Sequence, residues 1–91
     1  MPRFYLHVCN GGGFAEDQDG QDFRDAEEAY TEAVRGLRDL MAAELKRGEI
    51  NLGSFVEIEN EQRELVRTVD FNEAVRVSNE RGRRPIASRD E

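Results

Sequence analysis

Polar and apolar residues alternate from Arg3 to Cys9, with Phe4, Leu6 and Val8 on one face and Tyr5, His7 and Cys9 on the other. This is the period-two signature of a β-strand, and both of its faces carry bulk. The glycines of Asn10-Gly11-Gly12-Gly13 tolerate positive φ at little cost, so the chain is expected to reverse there. Phe14 to Asp17 would then return as a short second strand, closing a β-hairpin.

The period changes after Asp25. Ala26, Ala29, Tyr30, Ala33, Val34, Leu37, Leu40, Met41 and Leu45 recur at three- and four-residue steps, which predicts a long amphipathic helix from Asp25 to Arg47. Asp25 with Glu28 forms a capping-box pattern, in which each side chain accepts from the other's backbone N–H. Lys46 and Arg47 suit the negative end of the helix dipole, and Gly48 suits a left-handed cap. Gly36 interrupts the helix at a cost of about 1 kcal/mol relative to alanine, and close packing of the backbone on a sheet would offset it.

Beyond the linker GEINLGS, Phe55 to Glu59 and Glu64 to Asp70 read as strands joined by the polar NEQR, a second antiparallel hairpin. Asp70 and Glu73 repeat the capping-box spacing, so FNEAVRV is expected to form one or two helical turns, with strand as the competing reading. The expected fold is α+β: β-hairpin, long helix, β-hairpin and short C-terminal helix. The helix stripe Ala29, Val34, Leu37, Met41 and Leu45 would pack on Phe4, Leu6, Val8, Val56, Ile58, Leu65 and Val69. Residues 1–77 form one domain on this reading, and 78–91, with one isolated Ile86 among charges, a disordered tail.

A chain of 91 residues is expected to bury about 60 to 65% of its unfolded surface, enough for one modest core. Thirteen Lys and Arg stand against 20 Asp and Glu, for a net charge of −7, which disfavours nucleic acid and anionic membranes and favours a protein partner. Cys9 is the only cysteine, which removes intramolecular disulfides and Cys-rich zinc sites and fits a reducing, cytoplasmic setting. The first ten residues hold no apolar run long enough for an export signal or a membrane span.

The segment Phe14 to Asp25, FAEDQDGQDFRD, looks most like a chemical site. With Gly20 at the glycine of a calcium-binding EF-hand loop, alanines fall where the first and the bidentate last ligand belong, Ala15 and Ala26. The remaining reading is a turn in which Asp17 and Asp19 accept backbone bonds and Gly20 takes positive φ. His7 and Cys9 lie two apart on one strand face, the spacing of a thiol and its base, but no orienting group or oxyanion donor accompanies them. Tyr5, His7 and Cys9 otherwise suggest a half-buried face, and a possible interface in a homodimer.

From Glu16 to Glu32 the chain holds eight acids against one arginine. Glu16, Asp17, Asp19, Asp22, Glu27 and Glu28 are the candidate binding face, steering a basic protein partner in a salt-dependent way. The expected function is that of a non-enzymatic binding or regulatory module without a cofactor, metal or catalytic residue. The alternative is a metal-binding protein or enzyme using His7, Cys9 and the loop Asp17 to Asp25.

Taken in order, MPRFYLHVCNGGGF, the D-x-D-G turn followed by RDAEEA, GSFVEIENE and VDFNEAV resemble a family of small bacterial proteins classed as a domain of unknown function, over about residues 1 to 77. The resemblance implies a small α+β fold and a bacterial cytoplasmic protein, and implies no activity, cofactor or catalytic residue. NGGGFAEDQDGQDF followed by AEEAYTEAV is also similar to the hairpin-to-helix passage of HicB-type antitoxins, a looser analogy of fold.

Overall fold

A computed structural model describes residues 1–11 and 13–82. Its elements are β1 (Arg3–Asn10), β2 (Gly13–Ala15), β3 (Gln21–Asp22), α1 (Ala26–Lys46), β4 (Phe55–Glu59), β5 (Leu65–Asp70) and α2 (Phe71–Ala74). Every strand pairing is antiparallel, in the order β2-β1-β4-β5, and β3 pairs with the start of β1. The fold is α+β, as the periodicities imply. The expected second strand ends at Ala15, and the two-residue β3, invisible to any periodicity, is a further strand.

The core lies between the sheet and α1. Phe4, Val56, Ile58 and Val69 from the sheet meet Ala29, Ala33, Leu37 and Met41 from the helix, with Leu6, Val8, Val34 and Leu40 half-buried around them. Phe23 and Ala74 complete this core. Phe23 sits in the acidic run, yet its N–H bonds to the Pro2 carbonyl at 3.0 Å and its ring packs 6.1 Å from that of Phe4.

Two expected core residues are exposed, for different reasons. Leu65 is 58% exposed because the β4–β5 register slips between Ile58 and Glu59, and one extra residue reverses which face a side chain takes. Alternation back from Val69 therefore reaches Arg67 on the helix side, where its guanidinium lies 3.9 Å above the Tyr30 ring, and then fails at Leu65. Leu45 is 60% exposed because Glu44 is the residue of the last turn that faces the following loop, where its carboxylate accepts from Asn51 N–H at 3.0 Å.

Asp25 caps α1 by accepting from Glu28 N–H at 2.9 Å, but Glu28 returns its carboxylate to Arg24 N–H at 2.7 Å, so the capping box is only half realised. Gly48 takes φ +86° beyond the helix end, as expected. The second capping pair holds α2 to a single turn, with Asp70 N–H donating to Glu73 at 3.1 Å. Residues 78–82 have neither helix nor strand, and the rest of the expected tail, 83–91, lies outside the described residues.

Candidate functional site

The acidic loop interrupts the edge of the sheet. β1 pairs with β3 at Arg3 and Phe4 and with β2 from Val8 to Asn10, and between these pairings the chain from Glu16 to Gly20 leaves the ladder. A strand N–H without a partner is costly. Asp17 removes that cost: its carboxylate accepts from Leu6 N–H at 3.2 Å and, through its other oxygen, from Gly20 N–H at 2.9 Å. Gly20 holds φ +73°, and a β-carbon there would lie 2.9 Å from the side chains of Arg3 and Tyr5 and 3.0 Å from the Phe4 carbonyl oxygen. The loop can lie against β1 only because this residue is glycine.

His7 completes the same corner on the sheet face away from α1. The backbone N–H of Asp17 donates to its Nδ1 at 3.0 Å, which leaves that nitrogen unprotonated and makes Nε2–H the donor to Glu59, 2.9 Å away. The Phe14 ring lies 5.6 Å from the imidazole, and only 2% of His7 is exposed. Arg63 closes the neighbouring surface, 3.8 Å above the Tyr5 ring and 3.7 Å from Glu59. The corner is a hydrogen-bonded lock between the acidic loop, β1 and β4.

This saturation bears on the alternative of a catalytic or metal-binding His7. Both of its ring nitrogens are engaged in this structure, Nδ1 by Asp17 N–H and Nε2 by Glu59, so neither is turned to Cys9. The Cys9 thiol is pushed above its ordinary pKa, first by burial and then by the negative charge of Glu57, the opposite of an activated nucleophile. Among the described residues, no three His, Cys, Asp or Glu side chains gather where they could hold a metal ion.

The candidate acidic residues have separate fates. Asp17 is taken up by the lock. Asp22 pairs with Arg3 at 3.3 Å, while Asp19 offers Arg3 its carbonyl oxygen at 2.7 Å rather than its carboxylate. Glu16 reaches Arg63 only at 3.9 Å, and Glu27 and Glu28 occupy the first turn of α1, where negative charge favours the helix dipole. Glu16, Asp19, Asp22 and Glu27 are exposed, and Glu28 is half-buried. Of the candidate interface residues, Tyr5 and Cys9 are half-buried on the outer face and His7 lies beneath it.

Sequence reasoning missed Glu59 and Arg63, the partners that decide what His7 and Tyr5 do. A signal for Glu59 exists: alternation in FVEIE sets Glu57 and Glu59 opposite Val56 and Ile58, on the face that must meet His7 once β4 pairs with β1. Arg63 leaves no such signal, because it acts from a turn at φ +64°. Among the described residues, no helix is long and apolar enough to cross a membrane.

No curated protein and no solved structure matches the chain, and the looser likeness to HicB-type antitoxins has no support from the comparisons. One family model does match, and over most of the length: by its agreement with residues 3–72, the chain belongs to the family described as Domain of unknown function (DUF6894).

Proposed function

We propose that the domain is a non-enzymatic binding module that engages a basic protein partner through its acidic surface. The observation that carries this reading is the division of labour among the carboxylates. Asp17 is spent on backbone donors at the loop, whereas Glu16, Asp19, Asp22 and Glu27 are exposed, and Glu28 partly so, along the sheet edge and the first turn of α1. Arg3 and Arg24 offset part of that charge in exposed ion pairs, which are weak and readily exchanged for a partner's cations. Net charge of this sign raises the rate of encounter with basic surfaces, and salt screens it.

The test compares the immobilised domain with a variant carrying Asp19→Asn, Asp22→Asn, Glu27→Gln and Glu28→Gln. The domain should retain basic proteins from a bacterial lysate at low salt and release them as salt rises, and the variant should retain far less. Equal retention by the two would remove the acidic surface from the account.

A further inference from the structure

The inner face of the sheet is not fully covered. α1 packs on β4, β1 and β5, and on the β2 side Leu6 and Val8 are only partly buried beneath the middle of the helix. Two adjoining recesses of about 260 and 650 Å³ open there, and both are lined by Val8 and Gly36. Leu6, Ala33 and Val56 floor the first, and Ala15 and Leu40 line the second.

Gly36 is the second observation. A helix-interior glycine is unfavourable, and close approach of a neighbouring element is the usual reason for one. In this chain a β-carbon at Gly36 would meet nothing within 4 Å. Neither does its φ require glycine, being absent from the positive-φ residues. The position therefore leaves room for a close approach from outside the chain, at the centre of the groove.

The rim indicates what would approach. Glu32 borders one recess and Asp39 the other, and the two share Arg35 in largely exposed ion pairs that a partner's cations can exchange. Asp17 also borders the first recess, but its oxygens already accept from Leu6 and Gly20 N–H. Residues 16–39 together carry nine acids against three arginines. A second copy of this chain, at net charge −7, would bring like charge to that rim. From Glu32 to Asp39 the helix rises about 10 Å, the length of two turns of a docked helix. We infer that this groove takes the apolar face of a basic amphipathic helix, whose small contact residues approach Gly36 while its Lys or Arg side chains meet the rim. This rests on the acidic-binding reading and adds to it a specific apolar seat.

The experiment uses a fluorescein-labelled Leu/Lys peptide of about 14 residues with leucines at helical spacing, and a scrambled isomer of the same composition and charge. Anisotropy at low salt should show the amphipathic peptide binding at least tenfold more tightly than the isomer. Gly36→Leu and Leu40→Gln should each remove most of that advantage and leave binding of the scrambled isomer unchanged. Thermal melts of both variants confirm that they remain folded. Equal binding of the two peptides, insensitive to Gly36→Leu, would overturn the groove and leave the acidic surface standing. Binding of neither peptide would overturn both, and equal binding of a version with glutamate in place of lysine would overturn the charge argument.

Discussion

Two regions flank β1, and they exchange the roles that their sequences suggest. The corner of His7, Asp17 and Glu59 holds the residue types of chemistry, and its donors and acceptors are satisfied from within. The groove of Leu6, Val8 and Leu40 holds the residue types of a core, and it is left half open. The lesson is that reactive-looking side chains at a broken strand edge are there to repair the ladder, while binding capacity accumulates where a single helix is too narrow to cover its sheet.

The largest expected effect comes from neither region but from the core they share. Leu37 is fully buried, and Leu37→Asp places a carboxylate there at a cost of about 5 kcal/mol or more, comparable with the whole stability of a small domain. Circular dichroism should show no cooperative melt. Next comes the corner itself. His7→Ala leaves Asp17 N–H and Glu59 without their partner and uncovers Phe14, so it should cost about 3 kcal/mol by denaturant unfolding. A change below about 1 kcal/mol would mean that the corner is not a lock.

The glycines sharpen the contrast. Gly20→Ala forces a β-carbon into the left-handed region and against β1, and should destabilise by about 2 kcal/mol. Gly36→Ala meets open space and should stabilise by about 0.5 to 1 kcal/mol. The two melts should therefore shift in opposite directions, and a shared direction would mean that Gly36 is packed after all.

The smallest effect concerns acid. Glu73 accepts from Asp70 N–H, Tyr30 Oη–H and Arg67, and these donors, the backbone one foremost, hold its carboxyl below the ordinary value of 4.5. A depressed carboxylate contributes stability above the unfolded value, and that contribution is lost as pH falls through the folded one. Glu73→Gln should therefore lower stability at neutral pH and leave it nearly unchanged well below pH 4.5. Melts across that range check the sign.

How much of this was legible depends on whether the signal is local. The bounds of α1 and of β4 follow from periodicity and capping, because each residue's environment is fixed by neighbours three, four or two positions away. Leu65 was misjudged because a single slipped register changes sides without altering the residues themselves. Phe23 in the core, Asp17 as an acceptor for β1 and Glu44 under Asn51 depend on where separate segments meet, so no periodic pattern announces them. The acidic loop was readable as a turn rather than a calcium site, but not as a patch on an edge strand. The open space at Gly36 reverses the expected close packing, and only the placement of α1 toward β4 could have revealed it.

The most direct test of the contrast is a methyl and aromatic NMR titration of the domain with the amphipathic Leu/Lys peptide. The signals of Leu6, Val8 and Leu40 should move in proportion to binding while the His7 imidazole and its Nε2–H stay in place. Movement confined to His7 and Cys9, with the Leu6, Val8 and Leu40 methyls unmoved, would contradict the account.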